Sequence, residues 1–158
     1  MATLILLRHA KSDWSGGEPD IDRPLAARGR RQAAEAGRWL AANVPGIDLA
    51  VVSPATRTRS TWEIVAGELD RAPELLVDDR VYAASGEELL EVVLGVADGV
   101  GTVVLTGHNP GVEELAQLLT GEWVRMPTSA LAVLDLAGAW SGAGDGSAVL
   151  RASGRPPA

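Results

Sequence analysis

The chain has 158 residues, 46% of them hydrophobic and 22% charged, which fits one folded domain and excludes a disordered chain. Its net charge of −7 excludes general attraction to nucleic acid or anionic membranes. The absence of cysteine excludes disulfides, thiolate nucleophiles and cysteine-based metal sites, and two histidines are too few for a histidine-rich metal centre.

The opening "MATLILLRHAK" has too short an apolar run for a membrane span and lacks the features of a signal peptide, so a cytoplasmic protein is expected. "TLILL" (3–7) reads as a strand covered on both faces of a parallel sheet. A long polar loop follows, "KSDWSGGEPDIDRP" (11–24), of a length that points to function. A helix is predicted over about 29–42, with Ala33, Ala36, Gly37 and Leu40 on one face and Arg31, Glu35 and Arg38 opposite.

"IDLAVVS" (47–53) is a second strand, and Trp62, Val65, Ala66 and Leu69 mark a second helix. Ser85 and Glu88 form a capping box for a third, whose stripe is Leu89, Val92, Val93 and Val96. "TVVLTG" (102–107) is a further strand. The fourth helix has Pro110 at its first position, the stripe Val112, Leu115, Ala116 and Leu119, and Gly121 beyond its end. "SALAVLDL" (129–136) is a late strand, "SAVLRA" an edge strand, and the last few residues are expected to be loose. The recurring order of strand, loop and helix is that of an α/β sheet in a single domain over 1–158.

In such sheets ligands bind beyond the carboxyl ends of the strands. Three ends carry polar groups there: Arg8 and His9, Ser53 to Arg57, and His108 with Asn109. Two histidines, two arginines and a helix N-terminus in one crevice suit a phosphoryl group, because arginine forks match phosphate oxygens and histidine serves as nucleophile, donor or base. Singly, each has a plainer reading: a hydrogen-bonded structural histidine, a surface arginine on a helix, a capping turn in "GHNPG".

"LLRHAKS", "DIDRPLAARGRRQA", "VVSPATRTRSTWEI" and "VVLTGHNPGVEELAQLL", in this order, resemble the histidine phosphatase (phosphoglycerate mutase-like) superfamily, and within it the SixA-type phosphohistidine phosphatases. The resemblance implies an α/β/α sandwich of three layers, a mostly parallel mixed sheet with helices on both faces. It also implies that His9 is the nucleophile that becomes phosphorylated, that Arg8 and Arg57 bind phosphate, and that His108 donates to the transferring group. Ala10 stands where the family more often has glycine. In-line attack by neutral His9, with Arg8, Arg57 and His108 holding the equatorial oxygens and water then hydrolysing the intermediate, needs neither metal nor cofactor.

Many family members protonate the leaving oxygen with a carboxylic acid. Here the residue after His108 is Asn109, and Glu87 and Glu88 lie where another branch places its acid, although Glu88 already has a capping role. An alkoxide needs that proton, whereas imidazole, with a conjugate-acid pKa of about 6.5, leaves with little help. The expected substrate is therefore phosphohistidine on a partner protein, and the resemblance implies a histidine phosphotransfer domain as such a partner. The alternatives are a phosphomonoesterase for a small phosphate ester, favoured if Glu87, Glu88, Asp13 or Glu18 reaches the pocket, a phosphoprotein-binding domain without turnover, and, least favoured, a mutase. Lys11 and Arg23 are candidate secondary contacts to phosphate or to an acidic partner, against a solvated lysine and an ion pair of Arg23 with Asp20 or Asp22. Trp14 either lines the rim or anchors the loop.

Overall fold

The computed structural model describes residues 2–158. Strands β1 (Thr3–Arg8), β2 (Leu49–Val52), β3 (Glu74–Val77), β4 (Thr102–Gly107), β5 (Leu131–Leu136) and β6 (Ala148–Gly154) form one sheet in the order β3-β2-β4-β1-β5-β6. The first four run parallel, and β5 and β6 turn antiparallel at the far edge.

The period of two along the strands divides each apolar run between two cores. Ile5 and Leu7 of β1, with Ala50, Val52 and Val104, pack under α1 (Ala27–Asn43) and α2 (Thr56–Gly67) through Ala33, Ala36, Leu40, Trp62 and Val65. Leu4 and Leu6, with Val51, Val103 and Leu105, pack under α3 (Gly86–Leu94) and α4 (Gly111–Thr120) through Leu89, Val92, Val93, Leu115 and Leu119. The sandwich of three layers, with helices on both faces of a mostly parallel mixed sheet, is the expected architecture.

Local signals account for most boundaries. Ser85 accepts from the Glu88 N–H while the Glu88 carboxylate accepts from the Ser85 N–H, the reciprocal cap that opens α3. Gly121 closes α4 in the left-handed region at φ 78°. Pro110 caps α4 rather than occupying its first position, which falls to Gly111. Helix α1 begins at Ala27, two residues before the expected start, because the Arg30 N–H already bonds the Ala26 carbonyl.

Two features depart from the sequence reading. Strand β3 is an extra parallel edge strand, only four residues long and exposed throughout, so "ELLV" lacks the buried pattern that marks the other strands. The end expected to be loose instead folds back: Pro157 is buried and bridges Gly154, which places Arg155 beside the sheet. No helix among the described residues is long and apolar enough to cross a membrane.

Candidate active site

Strand register brings the two histidines together. Arg8 pairs with Gly107 across β1 and β4, and Val52 pairs with Thr106 across β2 and β4, so His9, Ser53 and His108 leave adjacent strands at one level. The His9 N–H donates to the Gly107 carbonyl and the Ser53 N–H to that of Thr106, fixing the turn-off points. The imidazole centroids of His9 and His108 lie 5.3 Å apart.

The His9 ring is oriented from behind. Its Nδ1 lies 2.8 Å from the Ala10 carbonyl oxygen, which can only accept, so Nδ1 carries the proton and Nε2 keeps its lone pair. The loop is itself held: the Ala10 N–H donates to Thr61 Oγ1, the Lys11 N–H to Gln32 Oε1, and the Lys11 carbonyl accepts from the Ala26 N–H. Gly29 is required there, because a Cβ at that position would overlap the Lys11 carbonyl. Burial, with Arg57, Arg8 and Arg23 nearby, lowers the His9 pKa to about 4, so the ring is neutral at pH 7.

His108 is held in the same way from β2. Its Nε2 lies 2.8 Å from Ser53 Oγ, which also accepts from the Ala55 N–H; in the tautomer where the serine hydroxyl donates to Nε2, the His108 proton sits on Nδ1. Burial, then His9 and Arg57, lowers its pKa to about 3. Tyr82 meets this ring in a T-shaped arrangement with centroids 5.6 Å apart.

Three arginines complete the site. Arg8, at the end of β1, donates Nη1 to the Met126 carbonyl at 3.2 Å. Arg57, in the first turn of α2, is buried rather than a surface residue of its helix, and donates to the Asp20 backbone carbonyl and carboxylate at 2.7 and 3.1 Å. Arg23, also buried, bonds Ser12 Oγ and Asp20 Oδ1 and lies 3.6 Å above the centre of the Trp14 ring. The expected ion pair of Arg23 with Asp20 is present, and Arg23 nonetheless lines the pocket.

Arg8, His9, Lys11, Arg23, Arg57 and His108 thus share one cavity of about 230 Å³, with Trp14 on its wall. Nε of Arg8, Arg23 and Arg57 and Nδ1 of His108 are buried without a hydrogen-bond partner in the protein. A buried donor left unbonded costs on the order of 1–3 kcal/mol, more when charged. Three such arginine donors and an imidazole nitrogen around one cavity suit an anion with several acceptor oxygens.

Glu87 and Glu88 are not brought to this cavity. Glu88 is committed to the α3 cap, and Glu87 is exposed on the first turn of the same helix. Asp13 accepts from Ser15 within the loop, and neither it nor Glu18 lines the cavity. The carboxylate bonded to the pocket arginines is Asp20, which the sequence presented only as an ion-pair partner. Asp20 accepts from Tyr82 at 2.6 Å and from Arg23 and Arg57, and these hold it ionised well below the usual carboxylate range. Ser53 and Tyr82 carried no signal of their own in the sequence beyond Ser53's place at a strand end. No group of three or more His, Cys, Asp or Glu side chains among the described residues is placed to hold a metal ion.

The sequence model of the histidine phosphatase superfamily (branch 1) matches residues 4–83. An uncharacterized protein of Mycobacterium tuberculosis is 39% identical over 155 residues, covering 91% of this chain and 96% of that protein. Among solved structures, a Nakamurella multipartitia protein provisionally assigned as phosphohistidine phosphatase SixA superposes with a TM-score of 0.85 at 30% identity, over 97% of this chain and 95% of that one. The protein histidine phosphatase SixA complexed with tungstate shares the fold, with a TM-score of 0.82 at 23% identity over 96% and 95% of the two chains.

Proposed function

Because the chain belongs to the histidine phosphatase superfamily, in its SixA-like branch, we propose that it is a cytoplasmic, metal-independent phosphatase that hydrolyses phosphohistidine on a partner protein through a phospho-His9 intermediate. Nε2 of neutral His9 attacks phosphorus in line as the bond to the leaving nitrogen breaks. Arg8, Arg57, Arg23 and Nδ1–H of His108 hold the equatorial oxygens and offset their charge without reorganisation at the moment of transfer. Water then attacks the phosphoryl group, and His9 departs as the leaving imidazole.

The observation that carries this reading is the make-up of the cavity, whose described lining is cationic and imidazole-rich and contains no carboxylate. An ester would release an alkoxide, which needs a proton in the transition state. Asp20, the carboxylate bonded to the pocket arginines, is held ionised and is a poor source of that proton. A phosphohistidine protonated on its other ring nitrogen releases neutral imidazole, whose conjugate acid has a pKa of about 6.5, so it tolerates such a site. Lys11 at the exposed rim and Arg23 inside are secondary phosphate contacts on this reading.

The test compares free phosphohistidine, a phosphohistidine peptide and a simple phosphate ester, with wild type and His9→Ala. The expected result is preferential cleavage of the P–N bond and loss of at least about 10³-fold in kcat on removing the nucleophile. Faster turnover of the ester would overturn the substrate assignment in favour of a phosphomonoesterase.

A further inference from the structure

The cavity around His9 is continuous with two further grooves. Arg8, Lys11 and Thr128 form the wall shared with a groove of about 350 Å³, which is also lined by Arg28, Arg125, Arg155 and Glu113. Arg28 and Arg155 in turn border a third, of about 340 Å³, that adds Arg31 and Glu35. With Arg23 and Arg57, these side chains make up eight of the fourteen lysines and arginines of the chain. A protein of net charge −7 thus gathers most of its positive charge around one opening, and the rest of its surface is strongly acidic.

Of these eight cations, only Arg23 and Arg57 are in ion pairs among the described residues, both with Asp20. Among the described residues the ion pairs use Arg23, Arg38, Arg57, Arg80 and Arg151, and none uses Lys11, Arg28, Arg31, Arg125 or Arg155. Glu113, the acid of the second groove, is engaged by the Met126 N–H at 2.7 Å. Burial lowers the Arg8 pKa, Glu113 opposes that shift, and Arg155 adds to it as a neighbouring like charge.

A second observation points the same way from the sequence. Helix α1 opens with Arg28, Arg30 and Arg31 and has no acidic residue in its first turn, although a helix N-terminus favours anions and disfavours cations. Placing arginines there costs helix stability. Such local conflicts are expected where function outweighs stability. The folded-back end, with Pro157 buried against Gly154, brings Arg155 to the same groove.

We propose that this arginine track is a docking surface for the acidic side chains that flank the phosphorylated histidine of a partner protein, so that the substrate is recognised by a carboxylate-rich epitope as well as by its phosphoryl group. The proposal rests on the phosphohistidine reading above. The grooves are open, extend well past the phosphoryl cavity and use exposed side chains that spread rather than converge, which suits a protein surface better than a small second anion. The acidic remainder of the chain repels an extended polyanion and leaves a compact acidic epitope as the fitting partner.

The test uses two synthetic peptides with a central phosphohistidine, one flanked by glutamates and one by serines, together with free phosphohistidine. Wild type is expected to show about tenfold or greater preference in kcat/KM for the glutamate peptide at low salt, within the range of electrostatic steering, and to lose it at high salt. The variant Arg28→Gln/Arg125→Gln/Arg155→Gln is expected to lose the preference while its turnover of free phosphohistidine stays at the wild-type level, which also reports that it is folded. Equal kcat/KM for the two peptides in wild type, with P–N cleavage intact, overturns the docking surface and leaves the catalytic reading standing. A triple variant that loses free phosphohistidine turnover in proportion to peptide turnover also overturns it, and a melting temperature unchanged from wild type distinguishes that result from misfolding. Tighter binding of a single-stranded oligonucleotide than of the glutamate peptide at matched salt would assign the track to nucleic acid instead. Failure of wild type to cleave any P–N substrate would remove both proposals.

Discussion

Arg57 and Arg151 are both paired with an aspartate, and the difference between the pairs separates the functional end of the sheet from its structural edge. On β6, Arg151 gives Nε and Nη2 to the two oxygens of Asp135 at 2.9 and 2.5 Å, and its side chain is 46% exposed. Arg57 has a side chain only 7% exposed, gives both Nη atoms to Asp20, and keeps a buried Nε with no partner. The first pair is complete and borders water. The second holds a charge inside the protein with a donor uncommitted, an arrangement that costs stability unless a ligand uses it. Arg8 and Arg23 likewise keep a buried Nε without a partner, and neutral His108 a buried Nδ1, whereas Arg80 at the surface is satisfied by Asp78 like Arg151.

The largest test of this contrast is Arg57→Ala, which is expected to lower kcat by about 10²–10³-fold through loss of a preorganised cationic donor. An Arg57→Ala enzyme of near wild-type kcat would place Arg57 with Arg151 as a structural residue.

A smaller, thermodynamic effect follows from the two buried imidazoles. Their folded pKa values, about 4 for His9 and about 3 for His108, lie below the unfolded value of about 6.5. The unfolded state therefore binds more protons under mild acid. The stability contribution is present above about pH 6.5 and is lost as pH falls through the window down to the folded values. Urea unfolding at pH 7 and pH 5 should show a drop for wild type and a smaller one for His108→Asn. Equal drops would mean that His108 is not held neutral by burial. Bound inorganic phosphate should raise the His108 pKa, because a neighbouring anion favours imidazolium, and a ring NMR titration with and without phosphate measures this.

The smallest effect belongs to the sheet edge. Arg151→Ala is expected to cost about 0.2–1 kcal/mol of stability in chemical denaturation, as half-exposed ion pairs do, and to leave kcat unchanged. A loss of activity there would erase the distinction between the two ends.

The sequence made the buried parts of the fold legible. Continuous apolar runs marked β1, β2, β4 and β5, and helical stripes marked all four helices, because burial imposes a period that composition reveals. It was silent about β3, where Leu75, Leu76 and Val77 remain about half exposed at an edge and satisfy no burial pattern. At the site, His9, His108, Arg8 and Arg57 stood out because each follows a strand that is itself easily recognised. Asp20 and Tyr82 did not. They lie 62 residues apart and meet only through the folded loop, a contact that no local period encodes. The arginines of α1 were visible as charges, but their common direction depends on the α1 start and on Arg155, which the folded-back end brings to the same groove.

The central claim is that His9 carries the phosphoryl group between substrate and water. It is tested most directly by mixing the enzyme with a ³²P-labelled phosphohistidine peptide for milliseconds, quenching in alkali, where a P–N bond survives, and locating the label by peptide mapping. The account predicts a transient acid-labile phosphoryl group on the peptide containing His9, absent in His9→Ala. Turnover with no label on the enzyme at any time would contradict it and require direct attack by water.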